Sequence, residues 1–330
     1  MPFLKKTNIK RAIGVFTVGA FLSAGVWAQD YPAKPITLVV GYSTGGPTDI
    51  LARQIAPELS KILGQNIIIE NKPGANGNIG GQAVVRAKAD GYTLLFGDLT
   101  LATNPYLLKD MPFDPLKDLQ AVASIGTAPL ALVVHPSVPA RTVPELIQYS
   151  HANPSALSNG TAGMGNLTHL AGEVLKDKEK LNFQQVPYKG SGPALTDLIG
   201  GQISMVITGL SSSIQHIQSQ KVHALAITGK QRSPLLPQVP TFSEALGKKM
   251  PELELGSWWG IFAPSGVPEE VVQKINTSVN QALQAESLRT RLSSMNIDVD
   301  AGDPQFMKQR LLSEYRSWGS VIKNAKIQPQ

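Results

Sequence analysis

The chain has 330 residues and a formal net charge of +6. It contains no cysteine, which excludes a disulfide framework, a thiolate metal site, a cysteine nucleophile and a lipid anchor on an N-terminal cysteine. Residues 1–28 hold four of the positive charges and no acidic residue, so the rest of the chain carries about +2, from 6 minus 4. A surface so close to balance argues against nucleic-acid binding, which usually requires a basic stripe.

The N-terminus has the three parts of a secretory signal. A basic head comes first and consists of Lys5, Lys6, Lys10 and Arg11. An uncharged run over 12–26 follows, and Val26-Trp27-Ala28 offers small residues at the two positions that a signal peptidase reads. The run is shorter than the roughly 20 residues that a membrane-spanning helix needs. We therefore predict cleavage near Ala28 and export, with an uncleaved membrane anchor as the alternative.

After the signal, strand-like and helix-like segments alternate. Ile36–Val40 is an apolar run of strand length, and apolar residues at helical spacing follow it as far as Leu63. Further strands are predicted over 67–70, 93–96, 128–135, 184–188, 204–208 and 224–228. The C-terminal part is predicted to be helical over 268–285 and 304–322. Such alternation is typical of an α/β fold with parallel sheets.

Length and element order together predict two lobes. The roughly 300 residues after the signal exceed one typical hydrophobic core. The segment 230–240 is rich in proline and polar residues and indicates a connection. We predict a signal peptide over 1–28, a first lobe made of 29–127 plus 231–330, a second lobe over 128–230, and two crossings between the lobes.

Two glycine-rich turns are the most informative features. Each follows a predicted strand and opens a predicted helix, one over 41–49 (GYSTGGPTD) and one over 160–168 (GTAGMGNLT). A helix start leaves backbone N–H groups unpaired and favours negative charge, and glycine lets a ligand approach the backbone. Such turns can hold a carboxylate or a phosphate, at the place where ligands bind in open α/β sheets. The alternative is that the glycines only make tight turns.

A third glycine-rich stretch, 73–80, also precedes a predicted helix. It matches neither a Walker loop nor the dinucleotide fingerprint. Its sequence leaves both ligand contact and a structural turn open.

The first turn also contains G-x-S-x-G over 41–45, the nucleophile elbow of α/β-hydrolases, with Ser43 as the nucleophile. All five histidines lie downstream, so chain order does not exclude a triad. However, the elbow would follow the first strand after the signal, and no earlier strand could supply the oxyanion loop. The last hundred residues also contain no histidine. A secreted serine hydrolase therefore stays an alternative to a binding protein.

The other candidate side chains are less specific. The histidines show no paired metal-ligand spacing, so we predict no metal site. His169, in the first turn of a predicted helix, either faces the cleft or makes a local hydrogen bond. Tyr42 and Tyr188 adjoin glycine-containing turns, and one of them is expected to form a wall of the cleft. Lys189 is expected to be solvated, and Trp258-Trp259 is expected to serve core or hinge packing.

The chain shares a series of short motifs, in the same order, with one known family. They are YPAKPI (31–36), GGxxD (45–49), ENKPGA (70–75), DGYTLL (90–95), NP (104–105), GNLTHLAG (165–172), VPYKGSGP (186–193), Pro240-Thr241 with Glu244, and WGIFAP (259–264). On these residues it resembles the Bug family, the periplasmic solute-binding proteins of tripartite tricarboxylate transporters. Members of that family usually have proline where this chain has Gly41.

The resemblance implies a two-lobed periplasmic binding protein fold of the Venus-flytrap type, located in the periplasm. It also implies capture of a small organic carboxylate and its delivery to the membrane subunits of the transporter. We expect a monomer and a di- or tricarboxylate ligand, and Tyr42 and Tyr188 leave room for an aromatic acid as well. A sensor that presents its ligand to a membrane signalling receptor would have the same fold. No catalysis, no cofactor, no metal and no nucleic acid are expected. The implied ligand-binding residues are Tyr42, Thr44, Gly45, Gly46, Thr48, Asp49, Thr161, Gly163, Asn166, His169 and Tyr188.

Overall fold

The computed structural model describes residues 31–324 except 164, 189 and 255, together with residues 327 and 329. The predicted signal segment with its cleavage site, and Lys189, therefore lie outside the described residues. In the part that is described, no helix is both long enough and apolar enough to cross a membrane.

Strands and helices alternate over most of the described chain, as predicted. The strands are β1 (Ile36–Val40), β2 (Ile67–Asn71), β3 (Thr93–Asp98), β4 (Leu119–Ala128), β5 (Leu130–Val134), β6 (Ser158–Thr161), β7 (Gln184–Pro187), β8 (Met205–Gly209), β9 (His223–Ile227), β10 (Ser257–Pro264) and β11 (Asp298–Val299). The helices are α1 (Pro47–Leu63), α2 (Asn78–Val85), α3 (Thr100–Leu107), α4 (Val143–Ala152), α5 (Leu167–Glu179), α6 (Ser191–Ile199), α7 (Leu210–Gln218), α8 (Phe242–Leu246), α9 (Glu269–Gln284), α10 (Glu286–Ser294) and α11 (Pro304–Asn324). A single 3₁₀ turn over Ala75–Gly77 precedes α2.

The strands form two sheets. The first has the order β11-β4-β10-β3-β1-β2, and the second has the order β7-β6-β8-β5-β9. β1 pairs in parallel with β2 and β3, and β6 pairs in parallel with β7 and β8. Both sheets are mixed rather than purely parallel, because β10 runs antiparallel to β3 and β4, and β5 runs antiparallel to β8 and β9. The α/β class is confirmed.

The chain passes between the two sheets twice, which confirms the predicted number of crossings. It leaves the first sheet at Ala128, the last residue of β4, and enters the second sheet at Leu130, the first residue of β5. It returns between β9 and β10. The predicted single strand over 128–135 was therefore wrong at its start, since Pro129 separates two strands of different sheets. The exact limits of the lobes stay a prediction.

The C-terminal helices pack on the first sheet. α9 contacts α1 and β4, and α11 contacts α3 and β4. Met307, Leu311 and Trp318 of α11 are buried in this contact. Residues Trp258 to Pro264 are all buried, as expected for a strand that lies between β3 and β4 in the middle of a sheet.

Candidate ligand-binding site

A cavity of about 800 Å³ is lined by turns from both sheets. The first sheet contributes residues within 41–48, 73–77, 98–103 and 257–259, and the second contributes Leu130 and residues within 162–168 and 190–191. Turns that follow the parallel strands β1, β3 and β6 meet here, as expected for a ligand crevice at the carboxyl ends of strands. Both predicted glycine-rich turns take part.

The structure divides the predicted site residues into two groups. Those that line the cavity are Tyr42, Thr44, Gly46, Thr48 and Asn166. Those placed outside the lining are Gly45, Asp49, Thr161, Gly163, His169 and Tyr188. Most of the second group are hydrogen-bonded to other parts of the protein, and these bonds hold the turns in shape.

Asp49 stabilises the first turn from outside the cavity lining. Its side chain is 1% exposed and accepts hydrogen bonds from the Gly45 N–H (2.9 Å) and from Asn71 Nδ2 (2.8 Å), and it pairs with Arg53 at 3.0 Å. Burial alone would raise the pKa of Asp49, but the hydrogen bonds from Arg53, Gly45 and Asn71 outweigh it and lower the pKa. Asn71 also donates to the carbonyl of Tyr42 at 2.9 Å. The charge of Asp49 is therefore balanced by Arg53 and by hydrogen bonds from within the protein.

Helix α1 begins beside the cavity without a side-chain cap. Gly46 is the N-cap residue and makes no capping hydrogen bond, and Pro47 follows as the first helical residue. The N–H groups of Thr48 and Asp49 have no partner within the helix at these positions. This start has the positive end of the helix dipole and unpaired donors, as the sequence predicted.

The second turn differs from the prediction in how its donors are used. Asn166 caps α5, and its Oδ1 accepts the N–H groups of Thr168 (3.0 Å) and His169 (3.1 Å). The Thr168 hydroxyl in turn accepts the N–H of Ala162 at 3.0 Å. The start of α5 has therefore already used most of the donors that were expected to hold a ligand.

Helix α6 offers an uncapped start that the sequence analysis missed. Its N-cap residue is Gly190, with φ of 118° and no side-chain capping bond. Gly190 and Ser191 line the cavity, so the unpaired N–H groups of the first helical turn begin at its wall. The signal was present in the sequence, because Gly190-Ser191-Gly192-Pro193 places small residues and a proline at the start of a helix, much as the first turn does.

His169 and Tyr188 make internal hydrogen bonds. His169 is 3% exposed, and its Nδ1 accepts the N–H of Gly165 at 3.3 Å, while its Nε2 lies 3.8 Å from Glu173. Burial lowers the pKa of His169, which keeps the ring neutral. The Tyr188 hydroxyl donates to Asp197 at 2.7 Å, and burial raises its pKa to about 12.

A hydrogen-bonded network at the end of β3 faces the cavity. Asp98, the last residue of β3, accepts hydrogen bonds through Oδ1 from the Tyr42 hydroxyl and the Thr100 N–H, each at 3.0 Å. Its Oδ2 accepts the Thr48 hydroxyl at 3.4 Å, and Trp259 Nε1 donates to that hydroxyl at 3.2 Å. Sequence analysis missed Asp98, although an acidic residue at the carboxyl end of an apolar strand is a usable signal.

The network controls the protonation of both ionisable groups. Burial raises the pKa of Asp98, and the hydrogen bonds from Thr100, Tyr42 and Thr48 offset part of this rise. Burial and the nearby Asp98 charge raise the pKa of Tyr42 well above its usual range. Tyr42 therefore stays a hydrogen-bond donor to Asp98.

The third glycine-rich stretch forms a fixed turn at the wall of the cavity. Pro73, Gly74, Asn76 and Gly77 line the cavity. Asn104 fixes the stretch, since its Nδ2 donates to the Asn76 carbonyl at 2.9 Å and its Oδ1 accepts from Asn76 Nδ2 at 2.8 Å.

Ser43 lines the cavity but lacks the surroundings of a catalytic serine. In the described part of the chain, none of the five histidines is hydrogen-bonded to it. Activation of a serine nucleophile requires such a base within hydrogen-bond reach. The hydrolase alternative has no support from this geometry. The described residues also contain no group of three or more His, Asp or Glu that could hold a metal ion.

Comparison with known proteins identifies relatives over nearly the whole chain. Residues 51–327 match the family described as "Tripartite tricarboxylate transporter family receptor". Protein BugT of Bordetella pertussis (strain Tohama I) is 33% identical over 322 residues, which cover 97% of this chain and 98% of BugT.

Two solved structures share both fold and sequence with the chain. One is R. palustris Rpa4515 with adipate, with a TM-score of 0.83, 36% identity, and coverage of 91% of this chain and 100% of that one. The other is MatC (Rpa3494) from Rhodopseudomonas palustris with bound malate, with a TM-score of 0.78, 33% identity, and coverage of 88% and 100%. These similarities confirm the predicted two-lobed fold of the periplasmic binding protein type.

Proposed function

The chain belongs to the family of tripartite tricarboxylate transporter receptors, and on that basis we propose that it captures a small organic carboxylate in the periplasm. The ligand binds in the cavity between the two sheets, and the lobes close over it. The closed protein, a monomer, then delivers the ligand to the membrane subunits of a transporter. Closure requires that the ligand bind the closed state more tightly than the open one. The protein acts without catalysis, cofactor or metal.

One observation carries this proposal: two uncapped helix starts, those of α1 and α6, line the same cavity. Unpaired N–H groups and the positive end of a helix dipole favour an anionic group. The described residues of the lining include no lysine, arginine or histidine, so the anion would be held by backbone donors and hydroxyl groups. The adipate bound to Rpa4515 and the malate bound to MatC are ligands of this class.

Thermal stabilisation by carboxylates tests the proposal. A ligand that binds only the folded protein stabilises it by about 2.7 kcal/mol at a hundredfold excess over Kd. This should raise the melting temperature by roughly several degrees in a protein of this size. The exported protein, stripped of endogenous ligand, is tested against dicarboxylates, hydroxy- and aminodicarboxylates, tricarboxylates, aromatic carboxylates, sugars and metal ions. Stabilisation by sugars or metal ions, with every carboxylate inert, contradicts the proposal.

Export and the lack of catalysis are tested separately. The intact mass of the protein recovered from the periplasm should correspond to a chain that begins at Gln29, and a mass that retains residues 1–28 would indicate a membrane anchor. A fluorophosphonate serine probe should not label the folded protein. Labelling that disappears in Ser43→Ala would support a hydrolase instead.

A further inference from the structure

We propose that Asp98 selects, among small carboxylates, those that also carry a hydrogen-bond donor, either a hydroxyl or an ammonium group. This inference rests on the proposed function and specifies the ligand class for the same cavity. Asp98 would accept a hydrogen bond from the hydroxyl or ammonium group of the ligand, while the uncapped helix starts hold the carboxylate.

Asp98 is chemically distinct within the cavity. Apart from Tyr42, it is the only ionisable residue among the described residues of the lining. Its hydrogen-bond donors are Tyr42, Thr48 and Thr100, all of which are neutral. A carboxylate that is partly removed from water and has only neutral donors attracts a further donor strongly, and a cation most strongly.

The two oxygens of Asp98 are unequally occupied. Oδ1 accepts the Tyr42 hydroxyl, the Thr100 N–H and the Thr100 hydroxyl. Among the described residues, only the Thr48 hydroxyl donates to Oδ2, and at 3.4 Å this bond is long. An ionised carboxylate can accept about four hydrogen bonds. Oδ2 therefore has the capacity to accept one from a ligand.

The same group disfavours a ligand carboxylate placed directly beside it, where a hydroxyl or ammonium group is favoured. Like charges repel strongly where solvent is displaced. A hydrogen bond to a charged group is worth more than one between neutral groups. We therefore expect a donor-bearing carboxylate to bind at least about tenfold more tightly than its unsubstituted parent, which is the lower end of the range for such bonds.

A purely structural role for Asp98 predicts a different outcome. Asp98 also holds Tyr42 and Thr48 in position, and loss of this support would weaken all ligands alike. Selection is therefore measured as a ratio of affinities for ligands that differ at one substituent.

The test uses isothermal titration of the exported, ligand-free protein. Succinate, malate and aspartate share one carbon skeleton and carry H, OH and NH₃⁺ at the same position, and adipate with 2-aminoadipate forms a longer pair. Wild type is compared with Asp98→Asn, which keeps the size of the side chain and an acceptor oxygen. Asp110→Asn makes the same change of charge at an exposed residue outside the lining and serves as the control.

In wild type and in Asp110→Asn, malate or aspartate should bind at least about tenfold more tightly than succinate, or 2-aminoadipate more tightly than adipate. In Asp98→Asn this ratio should fall towards one, whatever the change in the absolute affinities of the two ligands. The relative affinities of malate and aspartate distinguish a hydroxyl from an ammonium ligand.

Two outcomes overturn the inference while the proposed function stands. In one, the unsubstituted dicarboxylates bind wild type as tightly as their substituted partners do, a result that needs no variant. In the other, Asp98→Asn is folded by thermal melting and keeps the wild-type ratio. If no carboxylate of any kind binds, the proposed function fails, and this inference fails with it.

Discussion

Gly41 and Gly77 are in direct backbone contact, since a Cβ added to Gly41 would lie 2.7 Å from the Cα of Gly77. A Cβ added to Gly80 would likewise lie 2.9 Å from the Cα of Gly41. The first turn and the stretch over 73–80 are therefore packed as one unit along one side of the cavity. The proline that the Bug family usually has at this position would not fit here unless Gly77 moved.

Gly41→Ala should destabilise the protein. Since the atoms that a Cβ would meet are backbone atoms of Gly77, the turn must shift as a whole, and overpacking of this kind costs about 1–3 kcal/mol. Chemical denaturation measures the change in the free energy of unfolding. Gly192→Ala is the control, because the Cβ position there has no atom of another described residue within 4 Å beyond its chain neighbours and its own helix backbone. Equal stability of the two variants would contradict the contact.

Loss of the Asn166 cap should affect both stability and ligand affinity. Asn166→Ala leaves the N–H groups of Thr168 and His169 unpaired and should cost about 1 kcal/mol. Thr142→Ala removes the cap of α4, where Thr142 accepts the N–H of Glu145, and is the matched control. Both variants should lower the free energy of unfolding, but only Asn166→Ala should change ligand affinity in calorimetry, because only Asn166 lines the cavity. A similar change of affinity in both would mean that the effect is global.

Glu314 should make stability depend on pH near neutrality. It is 8% exposed in α11 and accepts Trp318 Nε1 at 3.0 Å. Burial raises its pKa to about 7, although Trp318 and the charge of Arg310 act in the opposite direction. An unfolded glutamate has a pKa of about 4.3, so the folded state binds the proton more tightly. The stabilising contribution of the protonated Glu314 is fully present below about pH 4.3 and is lost as the pH rises through about 7.

Glu314→Gln removes this dependence and should stabilise the protein above pH 7 by an amount on the order of 3 kcal/mol. Unfolding followed by circular dichroism between pH 4.5 and 8.5 measures the slope. Glu286→Gln, at an exposed residue, should keep the wild-type slope. Identical slopes for all three proteins would show that Glu314 ionises normally.

The discrimination attributed to Asp98 should weaken in acid. An ionised Asp98 accepts a charge-assisted hydrogen bond from the ligand's hydroxyl group, and protonation of Asp98 removes that charge and weakens the bond. Since burial raises the pKa of Asp98, the ratio of malate to succinate affinity should fall as the pH falls through that raised value. The ratio is the proper measure because both ligands also titrate.

The groups around Asp98 do not obscure this titration in the described part of the chain. Its partners are Tyr42 from the first turn, Thr48 from α1 and Thr100 from α3, and Trp259 of β10 adjoins Thr48. Tyr42 is the titratable member, and its raised pKa keeps it protonated throughout. In Asp98→Asn any remaining change of the ratio with pH comes from the ligands themselves, so the wild type should show the larger fall, and equal falls in both proteins would assign the effect to the ligands.

Local patterns predicted the framework but not the partners of the site. The strand–helix alternation and the first turn could be predicted because each depends on a few adjacent residues. The contact of Trp259 with Thr48 joins residues that are 211 positions apart, and it follows from the place of β10 in the middle of the first sheet. No periodicity in the sequence specifies such a pairing.

Side-chain direction was a second limit. His169 and Tyr188 adjoin the cavity turns in sequence, but they point to Glu173 and Asp197, which lie on α5 and α6 respectively. The start of α5 shows the same limit for the backbone, because the Asn166 side chain uses the N–H groups of Thr168 and His169 that were expected to hold a ligand. The uncapped start of α6 was the better candidate.

Removal of one backbone donor at the start of α6 should weaken carboxylate binding without loss of stability. Gly163→Pro, in the second turn, is unsuitable for this purpose, because φ of 134° at Gly163 is incompatible with proline. Ser191 is the first helical residue of α6, a position where proline fits the helix and where the N–H has no helical partner.

Ser191→Pro removes the N–H and the hydroxyl, and Ser191→Ala removes the hydroxyl alone. We expect the proline variant to bind the carboxylate that stabilises wild type about tenfold more weakly than the alanine variant, since it lacks one hydrogen bond to a charged group. Melting temperatures should be similar. Equal affinities of these two folded variants would show that the α6 start does not hold the ligand.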